Sequence, residues 1–229
     1  MDTLIQYRQV LIDGTIVTVS LAVLSLILSI VFGLCGAFAQ LSESVTFRRL
    51  GLLYTMFVRG VPELVLMMLI FFGGQLLIND MGRVTGLWGY VDVNQFFAGV
   101  LTLGFIFGAY MAETFRGAIL AIPVGQIEAA KSVGMSPRQV FANVTWPQMV
   151  RYALPSFTNN WLVLVKATAL VSVIGLHDLV WNAFSAGRSN HKLFTFMIAV
   201  LAIYLVITAL SDLALRWVER KYNVGTRKA

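Results

Sequence analysis

The sequence predicts an all-α integral membrane protein with five transmembrane helices. Of its 229 residues, 58% are hydrophobic and only 12% are charged, and the mean hydropathy is +0.79. Soluble globular domains contain about 45–50% apolar and about 25% charged residues, so this chain has too little polar surface for a water-soluble body. The charges are also spaced so that five mostly apolar stretches reach the length of about 20 residues that a helix needs to cross a bilayer.

The first, third and fifth predicted helices contain no charged residue. They lie within the uncharged runs 14–42, 93–112 and 193–211. The first run contains an Ala-x-Ala pattern that resembles a signal-peptidase site. It is too long for the apolar core of a signal peptide, however, and Arg8 is the only lysine or arginine before it. We therefore interpret it as a retained helix.

Small residues mark one face in two of these helices. In the first helix they recur every four positions, at Ser25, Ser29, Gly33 and Ala37. In the third helix, Gly104 and Gly108 form a G-x-x-x-G pattern. Small residues let membrane helices approach closely, so both patterns predict helix packing rather than a binding site.

The second and fourth predicted helices are interrupted by ionisable residues. The second, residues 52–78, contains Arg59 and Glu63, and the fourth, residues 152–176, contains Lys166. Ionisable groups at membrane depth are costly and usually face a cavity or one another. These two helices are therefore expected to line a substrate path.

Lysine and arginine are divided unevenly between the segments that join the helices. Twelve lie in the segments after the first, third and fifth helices, counting Arg59, and four lie on the other side. The positive-inside rule then places the N-terminus in the periplasm and the C-terminus in the cytoplasm. The same asymmetry explains the net charge of +6, so we expect no nucleic acid partner.

The long predicted cytoplasmic loop, at about residues 117–151, is the most informative segment. Residues 126–133 are good helix formers, and Gly134 suits a left-handed helix end. A new helix start follows, with an N-cap, a first-position proline and a capping-box partner at Ser136, Pro137 and Gln139. The pattern predicts helix, tight turn and helix, either as a surface for a partner or as an amphipathic connector lying on the bilayer.

Part of this loop resembles the EAA signature of ABC importer permeases. That signature is Glu-Ala-Ala, a glycine after three residues, and Ile-x-Leu-Pro after nine more. The corresponding residues are Glu128, Ala129, Ala130, Gly134, Val144, Trp146 and Pro147. The spacing agrees throughout, and the departures, valine for isoleucine and tryptophan for leucine, are still apolar. Segments 59–62, 109–117 and 164–170 extend the resemblance to the polar amino acid permease family, most closely to the Q-type subunits of histidine/lysine/arginine/ornithine importers.

The resemblance implies a type I ABC importer permease fold, with residues 1–229 forming a single transmembrane domain. In that family the EAA loop is a coupling helix seated in a groove of a cytoplasmic ATPase subunit. The ATPase-coupling residues would then be Glu128, Ala129, Ala130, Gly134 and Pro147. The chain has no G-x-x-x-x-G-K-[ST] phosphate loop, so we expect no cofactor, metal site or catalytic residue in it, with ATP and magnesium bound by the partner.

The resemblance also implies the assembly in which the chain works. The expected partners are two copies of the ATPase, a second homologous permease subunit, a periplasmic amino acid binding protein and the lipid bilayer. The Q-type resemblance favours a heterodimer of permeases and leaves a homodimer open. The location would be the bacterial inner membrane, and the cargo would be basic amino acids: histidine, arginine, lysine and ornithine.

A helix break is expected inside the second predicted helix, at residues 60–62 (Gly-Val-Pro), with the proline starting a new helix. Counted from a helix start near Leu52, Glu63 would lie about 16 Å along, close to mid-bilayer. Arg59 would pair with the carboxylate of an amino acid and Glu63 would attract a cationic side chain. The alternative is that Arg59 and Glu63 pair with each other across the kink.

The third and fourth predicted helices supply the remaining candidates. Glu113 and Lys166 are expected to neutralise each other, with contact to substrate as the alternative. The fourth helix carries hydrogen-bonding groups at Asn159, Asn160, Thr168 and Ser172. The candidate substrate contacts are therefore Arg59, Glu63, Glu113, Asn160, Thr168 and Ser172. His177 and Asp178 are expected to cap the helix end or to contact the binding protein.

Two other classes of function are the alternatives to an importer permease. A subunit of a secondary amino acid transporter or channel would not need the long EAA-type loop, and ATP dependence of uptake separates it from an ABC importer. A membrane enzyme or assembly scaffold is the third class. The loops contain no Ser/His/Asp, Cys/His or paired-carboxylate constellation that would support catalysis. The sequence favours the importer permease.

Overall fold

The computed structural model describes residues 2–222. Arg227 and Lys228, which were counted among the cytoplasmic cations, lie outside the described residues. Ten α-helices, one π-helical turn and one 3₁₀ segment follow in chain order: α1 Asp2–Gln6, α2 Arg8–Gln40, α3 Val45–Gly60, α4 Glu63–Thr85, α5 Gln95–Leu120, α6 Val124–Ser132, α7 Pro137–Val140, the π-helix Phe141–Thr145, α8 Trp146–Ala167, the 3₁₀ helix Thr168–Ile174, α9 Leu179–Ser189 and α10 Leu193–Tyr222.

Five helical stretches in this part of the chain are long and apolar enough to cross a membrane, which confirms the predicted number. They are Arg8–Gln40, Glu63–Thr85, Gln95–Leu120, Pro137–Ile174 and Leu193–Tyr222. The third is the most buried of the five and the fifth the least. The chain therefore folds as a helical membrane protein around α5.

The break predicted in the second membrane helix is confirmed, but its position along the span differs from the prediction. Val61 is extended, with φ −114° and ψ 139°, because the ring of a following proline excludes the helical conformation. Helix α3 ends before this break, and α4 alone is long enough to cross the membrane. Glu63 is consequently the first residue of α4, and its expected depth near mid-bilayer stays a prediction.

The helix, turn and helix predicted in the long loop are also confirmed. Gly134 adopts a left-handed conformation, with φ +82°, and the backbone N–H of Ser136 donates to Gln139 Oε1 at 2.8 Å. The second helix does not stop, however, but continues through the π-helical turn into α8. Pro147 lies just after that turn, and a proline cannot donate to the carbonyl four residues earlier, which favours a widened turn there.

Helices α2 and α5 pack along most of their length and form the centre of the molecule. Ser25 and Ser29 are fully buried, and a Cβ added to Gly33 would overlap the Cβ of Met111. From the other side, a Cβ on Gly104 would lie 2.8 Å from the side chain of Leu28. Both small-residue patterns thus serve helix packing, as predicted, and the structure shows that they are the two sides of one contact.

Candidate functional site

A groove of about 490 Å³ lies where α3, α5 and α8 meet. It is open on one side and its lining is largely polar. The residues around it are Arg59, Tyr110, Glu113, Thr114, Pro155, Ser156, Asn159 and Asn160. Three of the six predicted substrate contacts, Arg59, Glu113 and Asn160, are thus brought together. The volume falls within the range of about 300–1,000 Å³ that is usual for small-molecule sites.

Tyr110 stands between the two charges of the α3–α4 break. The guanidinium carbon of Arg59 lies 5.6 Å from the centre of the Tyr110 ring, within the distance of a cation–π contact. The Glu63 carboxylate lies beside the Tyr110 hydroxyl. No ion pair joins Arg59 to Glu63 within residues 2–222, so their mutual pairing, the alternative weighed from the sequence, was wrong.

Glu113 is held by Arg116 of α5 and by Gln40 at the end of α2, and not by Lys166. Its carboxylate accepts from Arg116 Nη2 at 2.8 Å and from Gln40 Nε2 at 3.0 Å. Lys166 lies instead on an exposed face of α8, in a separate groove between α8 and α10 that also contains Asp212. The predicted Glu113–Lys166 pair was wrong because an arginine one turn along the same helix is the nearer cation.

Asn160 joins α8 to α5 beside the groove. Its Nδ2 donates to Thr114 Oγ1 at 3.0 Å, while its neighbour Asn159 is exposed. A side chain amide has further donors and acceptors beyond one such bond. The pair of asparagines therefore offers hydrogen bonds to a polar molecule in the groove.

Thr168 and Ser172 lie outside this groove. The Thr168 side chain is fully buried and its hydroxyl bonds to the Val165 carbonyl at 2.7 Å and to Tyr204 Oη at 3.2 Å. Ser172 donates to the Ala169 carbonyl at 2.8 Å. Hydroxyls that bond to their own helix backbone are common in membrane helices. Residues 168–174 are also a 3₁₀ helix, so the α-helical spacing that placed both residues on the cavity face does not apply.

Five lining residues were not among the candidate substrate contacts: Tyr110, Thr114, Pro155, Ser156 and Asn159. A usable signal was present, because Tyr110 lies three residues before Glu113 and four residues before Thr114. All three side chains therefore share one helix face. Ser156 precedes Asn159 and Asn160 by three and four residues and shares their face in the same way. Applying helical spacing to every polar residue of α5 and α8 would have found the groove more completely.

The predicted coupling residues lie on and around α6. Glu128 and Ala129 are exposed, whereas Ala130 is buried, so only the first two face outward. Ile122 and Ile127 pack into a cluster with Phe115 and Met149, which anchors α6 beneath α5 and α8. Gly134 forms the turn that ends α6, and Pro147 is exposed in the first turn of α8.

Asp178 is the N-cap of α9 and not, as predicted, a cap on the end of the fourth membrane helix, which Gly175 closes. Its Oδ1 accepts from the backbone N–H of Trp181 at 2.8 Å. The side chain is fully buried, and this burial raises the pKa of Asp178 to about 6. His177 is exposed and stacks on the Trp181 ring, with the ring centres 5.3 Å apart.

Comparison with known proteins decides the family. Residues 29–224 match the family model described as binding-protein-dependent transport system inner membrane component. The chain belongs to this family. Membership in a family of inner membrane components agrees with the candidate membrane helices and the open polar groove of the structure.

Individual relatives sharpen this assignment. The chain is 46% identical over 226 residues to the histidine/lysine/arginine/ornithine transport system permease protein HisQ of Escherichia coli (strain K12), with 97% of each chain covered. It is 40% identical over 215 residues to the nopaline transport system permease protein NocQ of Agrobacterium fabrum, covering 93% of this chain and 91% of the relative. A chain in the crystal structure of an amino acid ABC transporter with histidines is 31% identical, with coverage of 95% and 96% and a TM-score of 0.80.

These similarities confirm the resemblance drawn from the EAA signature and its neighbouring motifs. They extend over nearly the whole chain, as the sequence indicated, and include the Q-type relationship. The high TM-score also confirms the type I ABC permease fold. The family is therefore established for the entire helical region, including α6 and the groove.

Proposed function

We propose that this chain is the transmembrane permease subunit of an ATP-driven, binding-protein-dependent importer of basic amino acids. It would lie in the bacterial inner membrane, with its N-terminus in the periplasm and its C-terminus in the cytoplasm. The name of a relative supports the substrate class, because HisQ belongs to a transport system named for histidine, lysine, arginine and ornithine. The uneven distribution of lysine and arginine supports the orientation.

The groove supports a division of labour in substrate binding. Arg59 is exposed and contacts only the face of Tyr110 among the described charged and aromatic groups, so its guanidinium is available to a substrate carboxylate. Glu63, on the other side of Tyr110, supplies a negative charge for a cationic side chain. Asn160 adds a neutral hydrogen-bonding group, and Glu113, already bound by Arg116 and Gln40, adds a second negative charge to the wall.

The exposed outer face of α6 is the observation that carries the coupling function. Glu128 and Ala129 point away from the protein while the opposite side of α6 is packed against the membrane helices. We infer that residues 1–229 form one transmembrane domain and that α6, within the loop at about 117–151, inserts into a groove of an ATPase subunit. The other coupling residues would support this segment: Ala130 is buried on the inner side of α6, Gly134 forms the turn that ends it, and Pro147 lies in the first turn of α8.

The remaining parts of the importer would be separate subunits. Two copies of the ATPase would bind ATP and magnesium and drive the cycle. A second homologous permease would complete the translocation path, with a heterodimer favoured by the similarity to Q-type subunits. A periplasmic amino acid binding protein would deliver the substrate.

An enlarged side chain at Ala129 tests the coupling function. Ala129→Trp is expected to abolish ATP-driven arginine uptake and to reduce co-purification of the ATPase at least tenfold, because the ring cannot enter a groove that accepts a methyl group. Ala129→Ser, which is nearly as small, is the matched control and should retain both. Uptake should be measured in proteoliposomes containing ATP. Uptake that is unaffected by the tryptophan, or that proceeds equally without ATP, would support the secondary transporter instead.

A further inference from the structure

The segment that joins α4 to α5, residues 86–94, is fastened to α4 by two side-chain amides. Gln75 Nε2 donates to the Val91 carbonyl at 2.5 Å, and the Val93 N–H donates to Gln75 Oε1 at 2.8 Å. One turn later, Asn79 Oδ1 accepts from the Val91 N–H at 2.7 Å and Asn79 Nδ2 donates to its carbonyl at 3.0 Å. The two amides thus bond to this backbone as a neighbouring strand would, and they hold the segment in one conformation.

Trp88 adds a third attachment. Its indole N–H donates to the Ile78 carbonyl at 3.1 Å, and the ring lies over Gly82. A Cβ on Gly82 would approach Trp88 Cδ1 to 2.6 Å and the Trp88 carbonyl oxygen to 2.9 Å, so only glycine leaves room for this packing. Gly86, with φ +68°, ends α4 in the left-handed conformation that turns the chain back. The tryptophan is therefore folded back onto its own helix.

The fastened segment encloses a recess of about 390 Å³ with charged and aromatic walls. The lining residues are Asn79, Asp80, Arg83, Trp88, Gly89 and Tyr90. Arg83 Nη2 and Asp80 Oδ1 form an ion pair of 3.0 Å that is largely exposed, and Tyr90 is 80% exposed. A charged pair beside a protruding tyrosine is unsuited to hydrocarbon but is typical of protein–protein contacts, in which tyrosine and arginine are enriched.

The recess and the coupling helix lie at opposite ends of α5. Residues 86–94 immediately precede Gln95, where α5 begins, and α6 follows Leu120, where α5 ends. A helix of 26 residues is about 39 Å long, the distance across a bilayer with its interfaces. A surface at the recess therefore faces the compartment away from the ATPase.

We propose that residues 86–94, together with Asp80 and Arg83, form a preformed docking surface for the periplasmic binding protein, with Tyr90 as its main contact. The proposal rests on the proposed function, which puts this end of α5 in the periplasm and requires a binding protein there. The family description names the same dependence on a binding protein. A surface that is already rigid loses little conformational entropy on binding, and the clamp by Gln75, Asn79 and Trp88 supplies that rigidity.

The test uses the complete importer in lipid nanodiscs and titrates an arginine-loaded periplasmic binding protein that stimulates its ATP hydrolysis. Tyr90→Ser is expected to raise the binding-protein concentration at half-maximal stimulation about tenfold, with unstimulated hydrolysis unchanged. Arg83→Glu should raise it similarly. The matched control is Tyr222→Ser, which removes an exposed tyrosine at the far end of α10 and should change nothing.

Unchanged half-maximal concentrations in both recess variants would overturn the docking surface. A lower melting temperature of the nanodisc complex without a change in that concentration would also overturn it, because Tyr90 would then be a bilayer anchor. If no loaded binding protein stimulates the wild-type complex, the proposed function itself fails and the docking surface with it. If the binding protein stimulates the wild type and both recess variants at the same half-maximal concentration, the docking surface alone fails and the proposed function stands.

Discussion

At the scale of single residues, Tyr110 explains how two opposite charges coexist without neutralising each other. Arg59 contacts the ring face and Glu63 lies beside the hydroxyl, so the aromatic ring separates the charges that flank the α3–α4 break. A direct ion pair would leave little attraction for a substrate. Two charges held apart can instead bind the two ends of a zwitterion with a cationic side chain.

Replacing Glu63 tests this arrangement. Glu63→Gln is expected to lower kcat/KM for lysine and arginine uptake about tenfold or more, because a bond to a charged partner contributes about 1.5–3 kcal/mol. Histidine uptake at pH 7.5 should fall less, since its side chain, with an ordinary pKa of about 6.5, is then mostly neutral. Glu43→Gln, an exposed change in the turn between α2 and α3, serves as the control. Equal kcat/KM values for lysine in the two variants would contradict the role of Glu63.

Among the residues whose partners the sequence mispredicted, Arg59 and Glu63 have a partner that depends on tertiary packing. Arg59 and Glu63 were correctly expected at a helix break, since Pro62 produces that break by local sterics. Their common partner Tyr110 lies far along the chain, and its approach is set by how α5 packs beside α3. For Glu113 the reverse holds. Its partner Arg116 lies three residues later on the same helix, so this ion pair could have been predicted from the sequence. The long-range pair with Lys166 was preferred only because both were expected inside membrane helices.

At the scale of elements, the contact between α2 and α5 depends on the absence of side chains. A Cβ on Gly33 would overlap Met111 and approach its backbone carbonyl carbon to 3.1 Å. Because backbone atoms lie on the other side, the clash cannot be relieved by rotating a side chain. Helices in a membrane gain stability from such close packing, since lipid is as apolar as their side chains.

An added methyl group at this contact should therefore destabilise the protein. Gly33→Ala is expected to cost about 1–3 kcal/mol through overpacking and to lower the melting temperature, followed by tryptophan fluorescence in detergent. The matched control is Gly73→Ala in α4, where an added Cβ meets nothing within 4 Å. Alanine there should leave stability equal or higher because of its better helix propensity. A melting temperature of the Gly33 variant at or above that of wild type would contradict the packing model.

The elements themselves were largely predictable from local signals. Pro62, Gly134 and the Ser136–Gln139 capping pair marked helix ends correctly, because each acts on the backbone within a few residues. The continuous helix from Pro137 to Ile174 was not anticipated. Its π-helical turn joins the helix predicted to start at Pro137 to the membrane helix predicted to start at Tyr152, and the packing of Met149 and Ala153 against α5 stabilises that junction only in the folded protein.

At the scale of the whole molecule, α8 presents polar side chains to a groove that the described part of the chain leaves uncovered on one side. Ser156 and Asn159 are both exposed there, and a separation of three residues places them on the same side of the helix. Polar groups facing hydrocarbon are costly. Another protein surface over this face of α8 would close the groove and remove both groups from lipid, which favours a second permease subunit.

The composition of the intact particle tests this last inference together with the proposed importer. We expect native mass spectrometry of the affinity-tagged chain, extracted gently with its co-expressed neighbours, to give two ATPase copies, one copy of this chain and one second permease. The exposed face of α6 would account for the ATPase and the uncovered face of α8 for the permease. Two copies of this chain with two ATPases would keep the importer but replace the heterodimer by a homodimer. A particle that lacks an ATPase under repeated gentle extraction would contradict the coupling role of α6, because the outer surface of Glu128 and Ala129 would then have no partner in the membrane assembly.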